Sequence, residues 1–222
     1  MRIKATIILI LFSLVLSAQN IEGKWLMSFE ESINTNSVPE IYIMEFKNGV
    51  AKAFDFDFDK LVEKERKFKV TRETIDIDDE EGVVSLPYRF INDNVLEVVH
   101  PMSNGKGTQF KLPIIYFRIQ PTKTSLSKEE IENTLYKTEI GTISFEKSLE
   151  NYLLKVKEED FNFFNERFFI EKLDDTFVIS SYQYGKRNKI TLIKEVDNNG
   201  LVLVGGNEKP YLLTLKKVKA KN

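Results

Sequence analysis

Apolar and polar residues alternate in short runs along almost the whole chain, and Asn, Asp and Gly punctuate the runs about every ten residues. Before residue 121, WLMSFEE, IYIMEF, VAKAFDFD, KFKVTRE, VVSLPYRF, NVLEVV and FKLPIIYFRI read as strands. After it, GTISF, NYLLKV, RFFIEK, TFVISSY, KITLIKEV, LVLVG and YLLTLKKV repeat the theme. Between them KNGV, DDEEG, INDN, SNGKG and DNNG carry residues that tolerate the positive φ of tight turns. Period two with short connections predicts an all-β, antiparallel meander that closes as a barrel or stacks as a sandwich.

One segment breaks the rhythm. In PTKTSLSKEEIENTLYK, Ser127 precedes Glu130 by three positions, the capping box of a short helix running to about Thr134. This places a boundary near residue 122, with a β-barrel over 19–121 and a second β unit over 122–222. Ile21-Glu22-Gly23-Lys24-Trp25 can be laid over Ile131-Glu132-Asn133-Thr134-Leu135, with Lys216 in place of Arg118. Two explanations stand side by side: a degenerate repeat, or one continuous β domain whose halves look alike by composition.

The beginning of the chain has its own pattern. Arg2 and Lys4 precede an uncharged run from Ala5 to Leu16, then the small residues Ser17 and Ala18. That is the layout of a signal peptide over 1–18, too short for a membrane span. Gln19 stands where a lipoprotein would carry its acylated cysteine. The expectation is a soluble periplasmic or extracellular protein beginning at Gln19, with no membrane span and no lipid anchor.

Composition then narrows the chemistry. Without residues 1–18 the chain keeps 34 acidic against 30 basic side chains, well mixed, which offers no electrostatic footprint for nucleic acid. It has no cysteine, so disulfides, thiol catalysis and thiolate-bound metals are excluded, and the core must hold the fold unaided. The single histidine, His100, lies in EVVHPMSNG at a strand end and reads as a solvated loop residue. No Gly-x-Ser-x-Gly elbow accompanies it, zinc chemistry needs more ligands than it supplies, and neither NGKGT nor YGKRN has Walker spacing. AFDFDFDK puts Asp55, Asp57 and Asp59 on one strand face and Phe54, Phe56 and Phe58 on the other. Carboxylates at that spacing suit acid–base pairs or calcium, but a half-buried strand with a solvated acidic face explains them as well. DIDDEEG lacks the ordering of a calcium loop and reads as a charged turn.

NIEGKWLMSFEE resembles the first-strand signature of lipocalin-like (calycin-type) β-barrel proteins, in which a short helical turn precedes Gly-x-Trp. The resemblance implies an eight-stranded barrel whose floor is Trp25, next to a tightly bent Gly23. Arg118, in IIYFRIQP, matches the basic residue that covers the tryptophan. A core tryptophan of some other β fold would show the same three residues. Seventeen phenylalanines and eight tyrosines supply bulk for either core filling or a cavity lining. Tyr42, Phe54, Phe56 and Phe58 are the candidate lining residues of an apolar cavity. The reading that follows is a non-enzymatic exported protein, without cofactor or metal, that binds a small and largely apolar molecule. The alternative is a β-rich interaction module contacting a protein or glycan at the cell envelope.

Overall fold

The computed structural model describes residues 20–29, 40–54, 65–103, 107–139, 141–157, 166–205 and 210–218. The expected signal peptide, the expected acidic face of Asp55, Asp57 and Asp59, and two of the candidate lining residues, Phe56 and Phe58, lie outside the described residues. Eight antiparallel strands form a closed barrel in chain order: β1 (Gly23–Phe29), β2 (Glu40–Lys47), β3 (Val50–Phe54), β4 (Arg66–Val70), β5 (Thr74–Asp79), β6 (Gly82–Asn92), β7 (Val95–Ser103) and β8 (Gln109–Arg118). The last strand closes on the first through Trp25↔Arg118, Leu26↔Phe117 and Met27↔Tyr116.

After the barrel come α1 (Lys128–Glu132), β9 (Tyr136–Lys137), β10 (Thr142–Ile143), α2 (Leu149–Lys157) and β11 (Arg167–Leu173). β12 (Thr176–Gln183), β13 (Lys186–Val196), β14 (Gly200–Gly205) and β15 (Tyr211–Lys217) complete the chain. These strands form a second, seven-stranded, barrel-like sheet in the order β10-β9-β15-β14-β13-β12-β11. The Ser127–Glu130 capping box is present at the start of α1, whose Ile131 drives into the second core.

NYLLKV, read above as a strand, belongs to helix α2. Leu149, Tyr152, Leu153 and Val156 recur at helical spacing and pack together with Phe169 and Tyr182, while Ser148 accepts the amide of Asn151 at the helix start. These four helically spaced positions give the segment one apolar face that is buried as a helix.

Two faces of the first barrel are buried, for different reasons. Inward residues such as Trp25, Phe46, Ile75, Leu96, Val98, Ile114 and Tyr116 form its core. On the outside, Leu26, Ile43, Val95, Ile115 and Phe117 pack against Leu173, Val178, Ile190 and Leu192 of the second sheet. β7 and β8 are therefore covered on both sides, and this is why NVLEVV and PIIYF read as near-continuous apolar runs rather than alternating ones. The connection between the sheets is pinned as well. Thr122 Oγ1 donates to the carbonyl of Ile193, Thr176 Oγ1 donates to that of Gln120, and Lys24 Nζ meets Asp174 at 2.5 Å.

No helix among the described residues is long and apolar enough to cross a membrane.

Candidate binding site in the first barrel

The site is built from its floor upward. Gly23 adopts φ +123°, a conformation in which an L side chain is strained, and a Cβ there would approach Arg118 Nη1 to 3.1 Å. Glycine at this position thus bends the backbone and leaves room for the guanidinium. Two residues on, Trp25 is fully buried and its indole N–H donates to the carbonyl of Ile21 at 2.7 Å. The guanidinium carbon of Arg118 lies 4.2 Å from the indole centroid, within cation–π range. Its nitrogens donate to three backbone carbonyls: Nε to Asp93 at 3.0 Å, Nη1 to Glu22 at 2.6 Å, and Nη2 to Asn20. Arg118 therefore ties the entering segment, the β6–β7 turn and the indole into one closure, with each fork nitrogen employed.

Above this floor the interior changes character in layers. On four adjoining strands the inward residues go from buried to partly exposed as they leave Trp25. The order is Leu96, Val98, His100, Met102 on β7, and Tyr116, Ile114, Leu112, Phe110 on β8. The same gradient runs from Trp25 to Met27 on β1, and from Phe46 through Met44 to Tyr42 on β2. Phe110, farthest from the floor on β8, is 37% exposed although it faces inward. On these four strands contact with water grows with distance from Trp25, whereas on β6 the inward Tyr88 and Phe90, at the floor end, are themselves partly exposed.

The candidate residues are distributed as follows. Gly23, Trp25 and Arg118 meet at the floor. Tyr42 pairs with Met27 and lies on the inward face of the partly exposed layer. Phe54 does not line the interior. Its strand directs Ala51 and Ala53 inward, and Phe54, next in the alternation, packs on the outer cluster of Leu26 and Ile43 beside the second sheet. The assignment failed because an alternating strand has two apolar destinations here, the barrel core and the contact between sheets, and periodicity alone does not say which one a phenylalanine takes.

His100 also needs correction. It is not a solvated loop residue but an inward residue of β7, and its Nε2 is 2.8 Å from Tyr116 Oη. The two rings lie nearly parallel at a 13° interplanar angle. Burial depresses the basicity of the imidazole below its ordinary value, which favours the neutral ring. The missed signal was position: His100 shares parity with Leu96 and Val98, which places it on their face of the strand. Among the described residues its hydrogen-bond partner is a phenol rather than a serine or a carboxylate, which is not the arrangement of a triad. Among the described residues no three His, Cys, Asp or Glu side chains come together as a metal cluster.

The overlay of the second unit on the first is displaced by one residue from the expected one. Tyr136, not Leu135, is the buried counterpart of Trp25, and it pairs with Lys217 rather than Lys216. Leu135 is 49% exposed.

Neither a family model nor a curated protein matches this sequence.

Proposed function

We propose that this chain is an exported, lipocalin-like, non-enzymatic protein that binds a small, largely apolar molecule in the upper half of its first barrel. The observation that carries this reading is the layering of the interior. On β7 and β8 the inward residues nearest the floor, Leu96, Val98, Ile114 and Tyr116, are buried, while Met27, Met44, Tyr42, Leu112 and Phe110 keep contact with water although their strands direct them into the barrel. Apolar side chains that face water on the inner wall of a barrel gain free energy when an apolar ligand replaces that water. The methionines at inward positions, Met27, Met44 and Met102, suit such a role, since thioether side chains adapt to irregular shapes.

A second reading is favoured by one other feature. Tyr211, Leu212 and Leu213 form an exposed run on β15, Leu212 at 63%, as an interaction module contacting a protein or glycan at the envelope would present.

Thermal denaturation of the chain from Gln19 onward, with and without medium-chain alkyl compounds, separates the two. A ligand held only by the native state raises the midpoint by mass action, by about 2.7 kcal/mol of stabilisation at a hundredfold excess over Kd. Protection by alkyl compounds supports the barrel site. No protection across the panel removes it and leaves the surface run as the better reading.

A further inference from the structure

On β7 and β8 the apolar wall of the first barrel is interrupted by a polar pair, His100 and Tyr116, set between the buried residues near the floor and the partly exposed layer. Nε2 of the imidazole is engaged with the phenol, and Nδ1 has no hydrogen-bond partner among the described residues. A neutral imidazole has one N–H and one bare nitrogen, so Nδ1 has a definite role whichever way the pair shares its proton. If the phenol donates to Nε2, Nδ1 carries the ring proton and is a donor. If Nε2–H donates to the phenol, Nδ1 is an acceptor. A ligand hydroxyl can meet either state because it both donates and accepts.

The charges nearby decide what kind of polar group the wall tolerates. By register Arg66 and Asp79 share the inward face, on the strands opposite, and their side chains pair with each other at 3.4 Å. The Arg118 guanidinium is committed to three backbone carbonyls beneath the indole. Burial lowers the basicity of the imidazole, which favours its neutral form. A ligand carboxylate placed at His100 would lose its hydration without gaining a cation among the described residues, whereas a hydroxyl loses far less.

We infer that His100, held by Tyr116, is the head-group contact of the barrel site, and that the site takes an apolar chain ending in an uncharged hydroxyl in preference to a carboxylate. This rests on the barrel-binding reading above and specifies its ligand class.

The test uses the untagged chain and three probes of matched length: n-decanol, decanoate and chlorodecane. Because His100 is the only histidine in the sequence, its ring nitrogen resonances need no assignment. The expected result is that n-decanol binds about tenfold more tightly than either of the others, the worth of one net hydrogen bond. It should also shift Nδ1, while chlorodecane leaves Nδ1 unmoved. In His100→Phe, n-decanol should fall to the affinity of chlorodecane, and chlorodecane should be unchanged. The wild-type ranking and the Nδ1 shift stand even if that variant does not fold. Equal affinity of n-decanol and chlorodecane for the wild-type chain, or a preference for decanoate, overturns the head-group assignment while leaving apolar binding intact. Failure of all three to bind overturns both this inference and the function it rests on.

Discussion

The two floors of this molecule share a backbone and differ in side chains. In the first barrel the amide of Arg118 donates to the carbonyl of Asn94, and the amide of Ile119 to that of Lys24. In the second unit the amide of Lys217 donates to the carbonyl of Asn199 and that of Val218 to the carbonyl of Leu135, two closures of the same pattern. Trp25↔Arg118 on β1 and β8 corresponds to Tyr136↔Lys217 on β9 and β15. The turns correspond as well, with Asn92 Oδ1 accepting from the amide of Asn94 and Asp197 Oδ1 from that of Asn199. What differs is how the segment entering the first strand is held. In the second unit that segment is helix α1, whose N-terminal donors are satisfied by its own capping box. In the first it is residues 20–22, whose carbonyls rely on the fork of Arg118. A lysine ammonium on a flexible stem cannot serve three carbonyls and an indole face at once. The comparison teaches that arginine is required where the entry segment lacks a helix of its own, and is dispensable where a capped helix is present.

The strongest way to break this comparison is at the tryptophan. Trp25→Ala should cost roughly 3–5 kcal/mol, since a large, fully buried aromatic leaves a hole that the rigid barrel floor cannot close. Chemical denaturation checks it, and a loss below about 1 kcal/mol would mean that the indole is not a packed keystone.

Arginine comes next. Arg118→Lys should cost about 1–2 kcal/mol through lost charge-assisted hydrogen bonds to the carbonyls of Asn20, Glu22 and Asp93. The reciprocal Lys217→Arg, at an exposed position, should stay within about 0.5 kcal/mol of the parent. Arg118→Ala and Trp25→Ala should be non-additive in a double-mutant cycle, because the guanidinium has no indole to cover once Trp25 is gone. Equal costs for the two basic residues would show that the floors are held alike.

Gly23→Ala should cost about 1 kcal/mol or somewhat more, for the positive φ and the approach of the new Cβ to Arg118. Asn133, its neighbour in the sequence overlay, sits at φ −78° as the C-cap of α1 and should accept alanine with little loss.

The smallest effect distinguishes the units by pH. His100 is the only histidine and lies in the first barrel; its folded-state pKa is lowered from 6.5 by burial. The unfolded chain therefore takes up the proton first, so stability contributed at this site is full above about pH 7 and declines as pH falls through the unfolded value. Replacing His100 with phenylalanine should flatten the stability–pH curve between about pH 7 and 5, measured by denaturation at fixed salt. An unchanged slope would place its origin elsewhere.

Much of this architecture was legible in the sequence because period two, turn residues and a capping box are local signals. WLMSFEE, VVSLPYRF and the Ser127–Glu130 pair each led to an element that forms. The floor was legible through the spacing of Gly23 and Trp25 and the basic residue near the end of FKLPIIYFRI. What escaped was non-local. Phe54 faces a second sheet that no property of AFDFDFDK announces. His100 was read by its neighbours Pro101 and Ser103 rather than by its parity with Val98, so an interior residue was taken for a surface one. In the second unit, α1 shifted the frame by a single residue, enough to exchange buried Tyr136 for exposed Leu135.

The methionines allow the most direct test of ligand binding in the first barrel. Apart from Met1, the sequence contains only Met27, Met44 and Met102, on β1, β2 and β7, all at inward positions of that barrel and all partly exposed. None of them lines the opening of about 500 Å³ beneath the floor, where Asp93, Arg118, Lys123 and Leu192 face one another. Methyl-labelled methionine spectra recorded during titration with n-decanol should therefore show saturable shifts of all three signals, at the concentrations that raise the thermal midpoint. Thermal protection with the three methyl signals unmoved would place the ligand outside the barrel and contradict the proposed function.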